Sequence, residues 1–223
     1  MIITIDGPAG SGKSTVAALL ARRLGLNYLD TGAMYRAVTW AALEQNIDLD
    51  DVPALIDLTR RCRLEVNFGE NPDQIKINDQ VVTETIRTPK VTEQAYKIAQ
   101  IPEIRRIMVQ RQREIAERGP GVVAEGRDQG TVVFADADFK FYLDADARCR
   151  AQRRWRQLKD TPDGKGLSCA AILAAQQQRD RRDQNRAASP LKVPPDARIV
   201  NTTNLTIDQV VQTLYQHVTE GKS

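Results

Sequence analysis

Gly7-Pro8-Ala9-Gly10-Ser11-Gly12-Lys13-Ser14 fills the pattern G-x-x-x-x-G-K-[ST] at every position. Ahead of it runs the β-branched stretch Ile2–Ile5, and behind it Lys13–Leu24 spaces Val16, Leu20 and Leu24 along one helix face. Strand, glycine loop and helix in that order predict a phosphate-binding P-loop and, with it, an α/β fold. The residue types suit the chemistry. Glycines let the backbone curl until successive N–H groups face phosphate oxygens. The helix adds its positive N-terminal end. Lys13 can reach the β- and γ-phosphates, the Ser14 hydroxyl can ligate Mg²⁺, and Thr15 follows at the same helix start. A glycine-rich turn without a ligand is the bland alternative, and the flanking strand and helix count against it. ATP or GTP is the expected ligand.

Beyond the loop, strand-like and helix-like segments alternate. Asn27–Asp30 reads as a second strand, and Thr31 as the N-cap of a helix carrying Met34, Val38 and Ala41 on one face. The middle differs. Arg63–Phe68 and Gln74–Asn78 alternate apolar and polar residues around the turn-rich Gly69-Glu70-Asn71-Pro72-Asp73, a hairpin signal, and Val81 and Val82 suggest a third short strand. Helices are expected at about Pro89–Gln100 and Pro102–Arg118, the second opened by a proline. Gly121–Ala124 and Phe139–Leu143 read as buried strands. The arginine-rich Ala145–Leu158 follows, then a flexible Thr161–Gly166 loop and a helix from about Leu167 to Asn185. Strand Ala197–Val200 and helix Ile207–Val218 close the chain. The expected architecture is a parallel-sheet α/β core with one antiparallel insert and a mobile hairpin of helices.

Composition removes several classes. The 223 residues are 41% apolar and 27% charged, which suits one globular domain with a buried core. No stretch approaches the ~18 apolar residues of a membrane span, and with the strand-like Met1–Asp6 running straight into the loop no signal peptide is expected. Cys62, Cys149 and Cys169 lie far apart with no CxxC spacing, so neither a disulfide framework nor a zinc knot is expected, and the chain reads as cytoplasmic. A net charge of +3 is too balanced for a nucleic-acid coat. Of the 32 basic residues, 23 are Arg and 9 are Lys. That bias suits phosphate recognition by planar forks, although an Arg-preferring proteome would produce it too. No Asn is followed by Lys, so the Asn-Lys-x-Asp base-reading motif of GTPases is missing.

Arg36, Arg105, Arg127 and Arg186 lie on four distant segments, each near an expected element end. That distribution suits a pocket closing around a second phosphorylated substrate. Arg179, Arg182, Asp183 and Arg186 follow i, i+3, i+4, i+7 spacing, which predicts one helical face with three guanidinium groups and a carboxylate. A solvated ion-pair face explains the same spacing. The P-loop, and the glycine-rich hairpin at Gly164–Gly166, favour a lid that closes over phosphates.

Three further stretches make a resemblance specific: Tyr28-Leu29-Asp30-Thr31-Gly32-Ala33-Met34-Tyr35-Arg36, Gly126-Arg127-Asp128-Gln129-Gly130-Thr131-Val132-Val133-Phe134, and Arg182-Asp183-Gln184-Asn185-Arg186-Ala187-Ala188-Ser189-Pro190-Leu191. With the P-loop ahead of them, they resemble the signatures of bacterial cytidylate kinases in the family's order, over essentially the whole chain. The resemblance implies a three-layer P-loop kinase core (about 1–32, 119–148 and 188–223). It also implies an inserted nucleoside-monophosphate-binding subdomain with a small antiparallel sheet (about 33–118) and a helical lid (about 149–187). It implies that Arg36, Arg127 and Arg186 hold the CMP phosphate, that Asp183 and Arg179 contact the ribose, and that Asp128 and Arg105 read cytosine. Thr31, Tyr35 and Tyr96 complete the implied substrate site. Arg153 and Arg154 fall where the family contacts ATP. Tyr96 is a departure, since the family usually places a Ser there.

Cytosine presents an N4 donor beside the N3 and O2 acceptors, whereas uracil presents an O4 acceptor and an N3–H donor. A carboxylate paired with a guanidinium complements the first pattern and opposes the second. The acceptor phosphate is already largely ionised near neutral pH, so no general base is needed, and the single histidine, His217, is expected to be structural. Direct in-line transfer with Lys13, Mg²⁺ and lid arginines stabilising charge is the implied mechanism, with Glu125 as a candidate to orient metal-bound water. The expected partners are ATP and CMP or dCMP, with no nucleic acid and no membrane, acting on a monomer. Two alternatives stay open: a kinase for UMP or a small metabolite such as shikimate, and a nucleic-acid-binding NTPase using the basic run Arg148–Lys159. That run carries Trp155 as its one aromatic, which leaves little for stacking on single strands.

Overall fold

Ile3 and Ile5 are fully buried on one face of the first strand, β1 (Ile2–Asp6). The computed structural model describes residues 1–69 and 74–221, so most of the turn expected at 69–73 lies outside the described residues. After β1 come α1 (Lys13–Leu24), β2 (Asn27–Asp30), α2 (Thr31–Glu44) and α3 (Val52–Arg61). Three short strands follow, β3 (Leu64–Asn67), β4 (Gln74–Ile77) and β5 (Gln80–Val81), then α4 (Pro89–Ala99) and α5 (Pro102–Ala116). The chain returns through β6 (Val122–Gly126), β7 (Phe139–Asp144), α6 (Ala147–Leu158), α7 (Cys169–Asn185), β8 (Arg198–Asn201) and α8 (Ile207–Glu220).

The long strands form one parallel sheet in the order β2-β6-β1-β7-β8. Both faces are covered, as parallel sheets require. Val123 of β6 joins Ile3, Ile5 and Phe141 under Val16 and Leu20 of α1 and Leu214 and Val218 of α8. Its neighbours Val122 and Ala124 point the other way, into a cluster with Met34 and Val38 of α2 and Ile104 and Met108 of α5. This period-two split between two apolar layers makes the core three layers deep. Truncating a fully buried Leu20 or Phe141 to Ala would cost about 2–5 kcal/mol. The β3-β4-β5 sheet is antiparallel, with Leu64 opposite Ile77 and Lys76 opposite Val81.

Register decides where chemistry can happen. Asp6 lies opposite Gly126, and Asp30 opposite Glu125, so β1, β6 and β2 end together. The P-loop, the Gly126–Asp128 turn and the start of α2 therefore share the carboxyl edge of the sheet, beside the strand where crossovers diverge.

Two local expectations change, and two elements stand where none was expected. The N-cap of α2 is Asp30, whose Oδ1 accepts the Ala33 N–H at 2.8 Å, and Thr31 is the first helical residue. Helix α3 went unread, although Asp51 caps it and Leu55 and Leu58 are buried at i, i+3. Residues Gln129–Val133 form a π-helical turn. Arg186 is extended (φ −64°, ψ 143°) just past α7, so it leaves the helical face expected to carry it.

Candidate active site

The P-loop is built around backbone space. Gly7 has φ +146°, and a Cβ there would stand 2.1 Å from the Leu143 carbonyl oxygen. No other residue fits so close to β7. Lys13 folds back over the loop and donates to the Pro8 carbonyl oxygen at 2.7 Å, with its side chain buried. Burial, and then the nearby Arg127, draw its ammonium down to about 7, against Glu125. Ser14 and Thr15 are exposed at the start of α1. The Ser14 hydroxyl donates to Glu125 Oε1 at 2.6 Å. Burial and the repulsion of Asp30 push the Glu125 carboxyl up, while Lys13 opposes the rise. Thr202 Oγ1 donates to the Ser11 carbonyl and closes the loop from β8's side.

A second constellation faces the loop. Asp6, fully buried, accepts the Gln129 N–H (2.9 Å) and the Gly130 N–H (2.8 Å), fixing the turn that carries Asp128. Burial lifts the Asp6 carboxyl to about 6 despite those donors. Asp128 Oδ2 pairs with the Arg105 guanidinium, and both side chains are buried. Arg105 also donates to the Ala99 carbonyl at 2.9 Å and lies over the Tyr35 ring at 5.3 Å. Arg186 Nη2 stands 3.7 Å from Asp128 Oδ1. Arg127 Nε donates to Asp183 Oδ2 at 2.8 Å, joining the β6 end to α7. Burial alone would raise the Asp183 carboxyl, but Arg127, Arg179 and Arg186 together hold it below the usual carboxylate range. Arg36 Nη2 donates to Asp30 Oδ2 at 2.9 Å. Thr31 is buried, donating to the Glu125 carbonyl and accepting from Gln129.

Arg105, Asp128 and Arg186 thus form one group and Arg127 and Asp183 another; the Lys13 ammonium feels the Arg127 charge, and Arg179 lies within reach of the charges of Arg127, Asp183 and Arg36. Arg36 Nε, Arg105 Nε and Arg186 Nη2 are buried with no hydrogen-bond partner in the protein. Cationic donors left unmet at one place suit an anionic ligand. The remaining expected residues sit at the margins. Arg153 donates to Thr202 Oγ1 at 3.1 Å and to the Thr202 carbonyl, which links it through Thr202 to the P-loop. Arg154 is exposed and bonds Gln157 at 3.4 Å. Tyr96 is 41% exposed on α4, with its ring under the Arg182 guanidinium of α7 at 4.5 Å. Sequence reasoning missed Asp6 and Asp30. A buried acid at the end of β1, just before the loop, was the readable signal for the first.

A parallel sheet with a P-loop after β1, a basic turn after β6 and an arginine-bearing helix pair facing both defines a P-loop phosphotransferase. The particular family follows from comparison with known proteins: a cytidylate kinase family model matches residues 3–220, and the chain belongs to the cytidylate kinase family. Its reaction is the ATP-dependent phosphorylation of CMP. A cytidylate kinase from Aeromonas salmonicida is 44% identical over 96% of this chain and 91% of its own length. A bifunctional pantoate ligase/cytidylate kinase from Thermosynechococcus vestitus is 48% identical over 94% of this chain, which spans 41% of that longer protein. Among solved structures, an uncharacterized protein from Eubacterium ventriosum covers 98% of each chain with a TM-score of 0.53 at 13% identity, a likeness of fold alone. Among the described residues no helix is long and apolar enough to cross a membrane.

Proposed function

We propose that this chain transfers the γ-phosphoryl group of ATP to the phosphate of CMP, and also of dCMP, by direct in-line attack within one polypeptide. In this reading residues of about 33–118 receive the monophosphate, residues of about 149–187 form the lid, and Gly7 to Thr15 hold the ATP phosphates. Arg36, Arg127 and Arg186 grip the acceptor phosphate, Asp183 and Arg179 the ribose. Thr31, Tyr35 and Tyr96 line the acceptor side, and Arg153 and Arg154 serve the ATP side.

The observation that carries the reading is the buried Arg105–Asp128 pair with Arg186 beside it. Asp128 offers acceptor oxygens to the cytosine amino group, and Arg105 offers N–H donors to N3 and O2. Uracil inverts the first two features, leaving buried polar groups unpaired. The resting pairs Arg36–Asp30 and Arg127–Asp183 keep guanidinium groups oriented without competing anions from solvent.

Mg²⁺ fits the residues at hand. Ser14 and Glu125 are hard oxygen donors 2.6 Å apart, and a cation beside them would offset the burial and Asp30 repulsion that push the Glu125 carboxyl up. Bound there with the phosphates, the ion would supply charge neutralisation. Lys13 reaches the transferred group, the arginines orient the acceptor oxygen, and closure over both substrates excludes water. Phosphorus NMR of CMP with Mg·ATP tests the reading: CDP and ADP should rise one for one, while inorganic phosphate rising in place of CDP would overturn it.

A further inference from the structure

Two buried, oppositely charged residues outside the site described above meet at the P-loop. Arg150 of α6 and Asp180 of α7 are 6% and 7% exposed. Arg150 Nη1 donates to Asp180 Oδ2 at 2.6 Å and to the Ala9 carbonyl oxygen at 2.8 Å, while its Nε donates to the Ala145 carbonyl at 3.1 Å. Asp180 Oδ1 accepts the Ala9 N–H at 3.1 Å. The pair therefore brackets one P-loop residue by both its backbone groups, with one charge from each lid helix. Gly10, next in the loop, has φ +77°, and a Cβ there would lie 2.7 Å from Gln176 Nε2 and 3.3 Å from Arg150 Cβ. The lid helices thus rest directly on the loop.

We propose that Arg150 and Asp180 are a positioning pair that couples the lid helices to the P-loop and sets the loop's ATP-binding shape. Charge explains why both are needed. A lone carboxylate against a polyanion-binding loop opposes ATP, and Arg150 cancels it while using the same fork to hold Ala9. Asp180 in turn holds the Arg150 fork over the loop. Neither residue hydrogen-bonds to the Asp128 constellation, and although the Asp180 charge reaches Arg127 and Arg179, the direct contacts of the pair are with the ATP side. The proposal rests on the reading of the P-loop as the ATP site.

The test is equilibrium binding of Mg·ATP and, separately, of CMP to the full chain, with steady-state kinetics alongside. Arg150→Met should weaken ATP binding and raise KM for ATP by about tenfold or more, with CMP binding within twofold of wild type. Asp180→Asn keeps an acceptor for the Ala9 N–H and removes the charge, so its loss should be smaller. Adding Asp180→Asn to Arg150→Met should recover much of the ATP affinity, which a merely structural role would not allow. Arg150→Lys, which keeps charge but not the fork, should fall between and carries the test if Arg150→Met does not fold. ATP affinity unchanged in a folded Arg150→Met or Arg150→Lys, equal losses for ATP and CMP, or no recovery in the double variant would each overturn the proposal. Failure of the wild type to bind ATP would instead strike the reading of the loop, and the wild-type titration reports that separately.

Discussion

Arg186 Nη2 lies 3.7 Å from Asp128 Oδ1 across the sheet edge, not against Asp183 one helical turn before it. Asp183 is taken by Arg127, and Arg186 is anchored by its Nε to the Ser189 carbonyl at 2.6 Å. A simple i,i+3 ion pair therefore does not account for Arg186. Arg186→Lys keeps the charge but loses the fork that can hold Ser189 and a phosphate together. It should cost about 2–3 kcal/mol, roughly thirty- to a hundred-and-sixtyfold in kcat/KM for CMP, with folding stability nearly unchanged. CMP kinetics beside thermal melts check this; near wild-type kinetics would remove Arg186 from the site.

Asp128→Asn replaces an obligate acceptor by an amide that can present a donor. CMP should lose roughly ten- to a hundredfold in kcat/KM, while UMP gains in relative terms because its O4 finds a partner. Arg105 then faces a neutral group while buried, so Tm should also fall. A fall by the same factor for CMP and UMP would show that Asp128 does not read the base.

Lys13 gives a pH dependence with a definite sign. Its ammonium is held down to about 7 in the free protein, by burial first and Arg127 second. Phosphate oxygens favour the charged form, so its pKa rises on binding. Binding of Mg·ATP at pH 8 should therefore take up close to one proton, and affinity should weaken as pH rises above about 7, by at most tenfold per unit. Below that pH the dependence on Lys13 vanishes. Calorimetry of a non-hydrolysable Mg·ATP analogue in buffers of different ionisation enthalpy measures the uptake. Lys13→Met should abolish it; a flat affinity from pH 6.5 to 9 in the wild type would contradict the assignment.

How far the sequence could be read depended on the range of the interactions. β1, α1 and β2 were legible almost to the residue because loop glycines and apolar spacing are local signals. The antiparallel insert was legible from its alternation. Asp30 and Thr31 are both capping residue types, and only the bond to Ala33 N–H separates them. The π turn at Gln129–Val133 is set by Asp6, more than a hundred residues earlier, so no local pattern announces it. Arg186 fitted a helical stripe, but α7 ends at Asn185 and the extended backbone of Arg186 takes it off that face. Arg150 and Asp180 were hidden in an arginine-rich run and a charged helix, where pairing across two helices has no sequence signature.

Steady-state ADP release with CMP, dCMP, UMP, AMP and GMP as acceptors, at fixed Mg·ATP, tests the central claim most directly. The Arg105–Asp128 edge predicts that CMP is phosphorylated efficiently, and the ratio of dCMP to CMP reports the ribose contacts assigned to Asp183 and Arg179. UMP should trail CMP by at least about a hundredfold in kcat/KM, as expected where the wrong base leaves buried polar groups unpaired. Equal kcat/KM for CMP and UMP, or a purine monophosphate preferred to both, would contradict the account.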